Sequence, residues 1–184
     1  DSIQSTGTDL IFLSTRGLMS LQRIIQEKSL PLNDVSRNIR TDLLTYISQE
    51  VESNGHREAI KSVYSPIDAF YLLTLPESQV VYCFDVRAPL ENGSFRVTTW
   101  SVLNPLGFSM FADDALYMGR AEGIVKYGGY FDNTTQYQMR YFSNPTDFGS
   151  PANLKFLKKF NLTIIGGQST PTTLNWGYDY TSAY

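Results

Sequence analysis

A mainly β chain, made of antiparallel blade-like sheets of a partial β-propeller with one amphipathic helix near residues 34–52, is the fold class that this sequence predicts. Three observations predict it. The aromatic share is 14%, carried by 12 Tyr and 11 Phe, which suits sheet faces better than helical bundles. Ser65 to Trp100, SPIDAFYLLTLPESQVVYCFDVRAPLENGSFRVTTW, reads as three successive strands, Ala69–Leu75, Val80–Val86 and Phe95–Val102, each rich in β-branched and aromatic residues. With the preceding run Ile60–Tyr64 they make four strands in about forty residues, the length of one propeller blade. Only one segment shows a clear helical period instead: Val35, Ile39, Leu43, Ile47 and Val51, widened by Leu44.

Taken in order, residues 1–7 are polar and read as a frayed start. Asp9–Ser14 and Leu18–Ile24 form a hairpin around Thr15-Arg16-Gly17. Leu30-Pro31-Leu32 breaks the sheet pattern, and Asn33 or Asp34 is placed to cap the helix by accepting from its first N–H groups. An apolar face on this helix suits either a neighbouring subunit or the chain's own sheet, and the second is the ordinary use of such a face. In the central blade, Pro76 stands where a turn wants φ near −65°, and Asn92-Gly93 tolerate positive φ.

Asn104-Pro105-Leu106-Gly107 resets the chain. A second group of strands follows, Phe108–Phe111, Ala115–Gly119, Ile124–Tyr130 and Gln136–Ser143, with Asx and Gly residues in its turns. Ser150-Pro151 opens a short helix with Leu154 and Leu157 inward. Phe160–Gly166 and Thr173–Tyr180 close the chain as a last strand pair. Residues 1–184 are therefore expected to form a single mostly-β domain with a helical insertion over 34–52. Propellers need about four blades to close, so the segment is expected to belong to a larger propeller protein. Its opening at Asp1 without Met points the same way.

A net charge of −3 is weak and predicts no general nucleic-acid or anionic-membrane binder. No run reaches the ~20 apolar residues of a membrane helix. The single cysteine, Cys83, rules out an intrachain disulfide and a Cys-based zinc site, and within VVYCFDV it reads as a buried small hydrophobe. Asn-x-Ser/Thr triplets at Asn92, Asn133 and Asn161 are read as chance, since no secretory signal opens the chain.

No catalytic, cofactor-binding or metal-binding residue is assigned. His56 is the only histidine, lies in a polar loop, and has no G-x-S-x-G elbow to serve. Asp113 and Asp114 offer paired carboxylates for a hydrolase or Ca²⁺, but adjacent strand residues point to opposite faces and Asp-Asp suits a turn. Gly119, Gly123, Gly128 and Gly129 are spaced too irregularly for a dinucleotide loop. Lys155, Lys158 and Lys159 form a small basic patch at a helix C-terminus. Trp176, Tyr178 and Tyr180 are the residues that a sugar-stacking surface would use.

Four pieces, LIFLSTRGLMSLQ with the following LNDVSRNI, SPIDAFYLLTLPESQVVYCFDVRAP ending in Trp100, LYMGRAEGIVKY, and TDFGSPANLKFLKKFNLTIIGG, occur in an order that resembles the tail nozzle (tail tubular) β-propeller proteins of short-tailed bacteriophages. They cover most of residues 9–167. The resemblance implies a non-enzymatic structural virion protein: a homo-oligomeric ring at the distal end of the tail, forming the conduit for genome ejection. The family has no catalytic residues to carry over, only structural correspondences such as the D-F-G-x-P-x-x-x-K-x-x-K-K connection at Asp147–Lys159. This chain is much shorter than a whole subunit of that family. Other tail or portal-proximal proteins and tail fibres are the implied partners, with transient passage of DNA, no cofactor, and assembly in the host cytoplasm into the virion. A near-neutral to acidic conduit does not grip DNA, and a lack of disulfides fits a reducing compartment. The alternative is a viral receptor- or glycan-binding β module; a hydrolase built on Asp113 or Asp114 is weaker still.

Overall fold

The computed structural model describes residues 2–27, 34–54, 59–101, 103–129, 131–132, 135–136, 138–143, 146, 149, 156, 158–163 and 171–177. Two compact units divide the chain, Asp1–Tyr137 and Gln138–Tyr184. In the first, the chain is mainly β, with three antiparallel sheets and two helices. The first sheet has the order β1-β2-β3, with β1 at Gln4–Ser5, β2 at Leu10–Ser14 and β3 at Gly17–Ser20. The central sheet is a four-stranded meander of β4 (Lys61–Ser65), β5 (Phe70–Leu75), β6 (Val80–Asp85) and β7 (Arg96–Trp100). A third meander holds β8 (Gly107–Met110), β9 (Leu116–Arg120) and β10 (Gly123–Lys126). No sheet is closed. A two-stranded ladder, β11 (Phe131–Asp132) with β12 (Thr135–Gln136), follows.

The four strands expected over 60–102 are found within a residue or two, Val102 lying outside the described residues. The turns explain why. Pro66-Ile67-Asp68-Ala69 and Pro76-Glu77-Ser78-Gln79 are alike: Pro opens each, where its fixed φ is wanted, and a residue at φ 53° closes each, Ala69 in one and Gln79 in the other. Loop 86–95 ends in a tight turn with Gly93 at φ 81°, closed by bonds from Gly93 N–H to Leu90 O and Leu90 N–H to Ser94 O, both 2.8 Å.

All six residues of β5, Phe-Tyr-Leu-Leu-Thr-Leu, are buried. Side chains alternate across a strand, so burial without alternation means that both faces of the sheet are covered. One face presents Tyr71, Leu73, Leu75, Tyr82 and Phe84 to Ile11 and Leu18 of the first sheet, to Val35 and to Leu43. Leu72, Phe70, Val63 and Val81 on the other face pack against Leu116 and Met118 of β9. The three sheets are stacked with their first strands together: β4 lies against both β1 and β8. Gln4 Nε2 donates to Ser62 O at 3.0 Å, and the Thr74 hydroxyl donates to Pro105 O at 2.7 Å.

Several expectations need correction. The strand expected to Ile24 stops at Ser20, and Leu21–Glu27 is helix α1. Its cap is assembled from a distance: Ser20 Oγ accepts from Arg23 N–H, while Asp9, eleven residues earlier, accepts from Gln22 N–H at 2.9 Å and from the Ser20 hydroxyl. The helix expected over 34–52 begins later, as a 3₁₀ turn Arg37–Ile39 leading into α2, Arg40–Asn54. Asp34 does not cap it. It bridges to Met19, and its Oδ1 accepts from the Ser36 N–H at 2.9 Å and hydroxyl at 2.6 Å, with Arg40 Nε 3.6 Å from Oδ2. The apolar stripe of α2 lies on the chain's own sheets, with Leu43 fully buried and Ile39, Tyr46 and Ile47 packed beside it. Residues 1–7 are not merely frayed, since β1 pairs with β2. A fourth strand over Gln136–Ser143 does not form: only Thr135–Gln136 pairs, and 138–143 have no regular structure.

In the second unit the described residues form neither helix nor strand, so the strands expected from Phe160 and Thr173 are absent over 160–163 and 173–177. The helix expected at Ser150-Pro151, with Leu154 and Leu157, lies outside the described residues.

Two changes test this packing. Glu50 of α2 is fully buried, and its Oε1 accepts from Ser78 N–H at 2.7 Å in the β5–β6 turn. Glu50→Ala leaves that donor unsatisfied and lowers unfolding free energy by about 1–3 kcal/mol in urea titrations; Glu50→Gln keeps the acceptor and costs less. A Cβ on Gly17, at φ 124°, would stand 2.6 Å from Ser36 Oγ and 2.9 Å from Asp34 Oδ1. Gly17→Ala therefore destabilises by about 1–3 kcal/mol by the same measurement.

Candidate functional site

The third sheet covers only part of the central sheet's second face. Direct cross-strand partners share a face, so the rows Leu72–Cys83–Thr98 and Phe70–Asp85–Arg96 lie side by side at its uncovered end. There a cavity of about 240 Å³ opens between Asp68, Phe70, Cys83, Asp85, Arg87, Arg96 and Thr98. Phe70, Cys83 and Thr98 belong to the sheet itself, and four charged residues stand around them.

Each charged group is held differently. Asp68, in the β4–β5 turn, accepts from the Ser65 hydroxyl at 3.0 Å through Oδ2. Asp85 is gripped by Arg87 in a fork, Nε to Oδ1 at 2.8 Å and Nη2 to Oδ2 at 2.7 Å, with the Arg87 backbone N–H adding a bond to Oδ1 at 3.1 Å. That hydrogen bonding holds the Asp85 carboxyl below the usual carboxylate range, with the charges of Arg87 and Arg96 helping. Arg96 faces Asp85 across the β6–β7 ladder. Among the described residues no carboxylate oxygen lies within 4 Å of its guanidinium.

Cys83, expected to be buried, is half-buried and lines this cavity. Loss of solvent pushes its thiol up to about 11, against a bond from Thr98 that pulls it down. It is thus a protonated, weakly nucleophilic group at neutral pH. A second hollow, lined by Pro89, Leu90, Glu91, Asn92 and Arg96, adjoins it, with Arg96 common to both. Sequence reading singled out none of these charged residues. Asp85-x-Arg87 at a strand end was the available local signal; the place of Arg96 follows only from the register of a hairpin with a ten-residue loop.

The residues weighed from sequence fall elsewhere. Asp113 and Asp114 form the β8–β9 turn, closed by Asp114 N–H to Phe111 O at 2.9 Å, with Asp114 at φ 56°. Asp113 accepts from Ala115 N–H at 3.3 Å and lies 3.8 Å from Lys126 Nζ, so the two carboxylates do turn work. Gly119 and Gly123 flank the β9–β10 hairpin, and Gly128 and Gly129 follow it. Asn92 accepts from the Ser94 N–H and hydroxyl and donates to Asn38, in a loop that Arg23 also bonds at Gly93 O. Asn161 is exposed. Lys158 and Lys159 are exposed, as is Trp176 at 57%. His56, Asn133, Lys155, Tyr178, Tyr180 and most of Asp147–Lys159 lie outside the described residues. Among those described, no three His, Cys, Asp or Glu side chains come together as a metal site, and no helix is long and apolar enough to cross a membrane.

The Cys83 environment makes a prediction. At pH 8 a thiol titrating near 11 is about 0.1% thiolate, against roughly a quarter for a free cysteine, so alkylation by iodoacetamide is slowed by about two orders of magnitude and recovers in urea. Because folding favours the neutral thiol, its contribution to stability is intact below the unfolded value, about 8.5, and is lost as pH rises from there towards 11. Cys83→Ser removes that alkaline component from a stability–pH profile.

The chain matches no protein-family model, no curated protein and no solved structure.

Proposed function

We propose that this chain is a structural subunit of the tail nozzle of a short-tailed bacteriophage, contributing blades of a β-propeller to a homo-oligomeric ring through which the genome leaves. The observation that carries the reading is the stack of three antiparallel sheets whose first strands, β1, β4 and β8, run side by side at one edge. That is how consecutive blades pack around a propeller axis, and each sheet's later strands then lead outward. The order of the four sequence pieces that resemble tail nozzle proteins is the second support.

Two further features suit assembly. The outer face of the third sheet exposes Ile124 at 80% and Phe111 at 56%, the face on which a further sheet packs in such a stack. In the second unit Met139, Tyr141, Phe142 and Trp176 are each more than half exposed, apolar surface of the kind that partners cover. A net charge of −3 suits a conduit past which DNA slides.

The exposure of Trp176 favours a second reading, a viral receptor- or glycan-binding module. Mass spectrometry of purified virions decides between them. Peptides spanning residues 1–184 in the tail fraction, at the copy number of a ring component, are the expected outcome, and virions that lack the polypeptide overturn the proposal. Glycan-array binding that disappears in Trp176→Ala moves the assignment to the second reading.

A further inference from the structure

Among the described residues, no strand pairs with the outer edge of β7, the last strand of the central sheet. Phe95 N–H points away from β6, donating to Val35 O at 2.8 Å. Backbone groups alternate between the two edges of a strand, so Val97 and Thr99 turn their N–H and C=O to that same outer edge, where no described residue pairs with them as a strand. Edges of this kind are usually blunted by Lys, Pro or a bulge. Arg-Val-Thr-Thr-Trp has no Lys, Pro or bulge and a single charge, Arg96, and Val97, Thr98 and Thr99 are β-branched residues that favour extended pairing.

The side chains beside this edge line open space. Arg96 and Thr98, on one face of β7, form a wall of the 240 Å³ cavity, and Arg96 is shared with the adjoining hollow along Pro89–Asn92. Both oxygens of Asp85, the carboxylate opposite Arg96, are already taken by Arg87. In a strand added to β7, the residue directly opposite Arg96 sets its side chain beside Arg96 on the same face of the sheet.

We propose that the outer edge of β7 takes up an extended peptide segment by strand addition, with an Asp or Glu of that segment paired to Arg96. Main-chain bonds to Val97 and Thr99 supply affinity, and the side chains that alternate onto the Arg96 face supply selectivity. A carboxylate belongs opposite Arg96, and an apolar residue four positions along belongs beside Trp100. This inference does not depend on the virion reading; it needs only the open edge and the guanidinium.

Two blocked, fluorescein-labelled peptides test it on the full chain at low salt: Gly-Thr-Glu-Thr-Val-Thr-Val-Gly, and the same peptide with Lys for Glu. Fluorescence anisotropy is expected to show about tenfold tighter binding of the Glu peptide. Arg96→Glu reverses the preference. Thr99→Pro removes one outward N–H, a change that an edge strand tolerates, and weakens both peptides. Amide hydrogen exchange on the unaltered protein, which needs no variant to fold, shows slowed exchange at Val97 and Thr99 with the Glu peptide present. Equal binding of the two peptides, or no change in exchange at those two amides, overturns the proposal.

Discussion

Burial of β5 on both faces is the constraint from which the rest of the first unit follows. A strand of six buried residues satisfies its backbone through β4 and β6, but its side chains need two separate covers. The chain supplies one before the central sheet, from the first sheet and α2, and the other after it, from the third sheet. Tyr71 shows how closely the first cover sits. Its ring packs edge-on against Phe84 at 6.0 Å between centroids, and its hydroxyl, whose titration burial pushes far upward, donates to Ser2 O at 2.7 Å. A phenol so buried has to find an acceptor, and the N-terminal strand region provides it.

What the sequence disclosed was mostly local. The central strands and their turns were legible because Pro66, Pro76 and Gly93 each carry a backbone preference that acts within four residues. The apolar stripe of α2 was legible because its period is set by the helix itself. Helix α1 was not, because Leu21, Ile24 and Ile25 read as more of the apolar run of β3 and the stop signal is a side chain, Asp9, brought in across the hairpin. Asp34 misled for a related reason: its short polar side chain suits a cap, yet it turns back to hold Ser36 and meet Arg40. The burial of Glu50 is equally invisible locally, being decided by a turn twenty-eight residues away.

The aromatic content has a structural use that composition alone could not assign. Trp100 and Tyr127 stack at 5.7 Å with ring planes 5° apart, and Phe70 meets both edge-on. This trio joins the last strand of the central sheet to the end of the third, so one cluster seals the boundary between two layers. Phe70 also lines the neighbouring cavity. The cavity thus adjoins the aromatic seal, at the end of the sheet where Asp85 and Arg96 stand.

That boundary explains why the charged residues gather there. Positions that the second layer covers hold apolar side chains, as at Leu72 and Val81; Asp85 and Arg96 sit where the cavity opens to water. An ion pair in that setting contributes little stability, since solvent screens it, so the Asp85–Arg87 fork is better understood through what it orients. By engaging both oxygens of Asp85 it holds the Arg87 side chain at the start of loop 86–95, while Arg96, the direct cross-strand neighbour, acts on Asp85 through its charge alone. Arg96 stands apart from that fork beside the outer edge of β7, the position at which we propose an added strand.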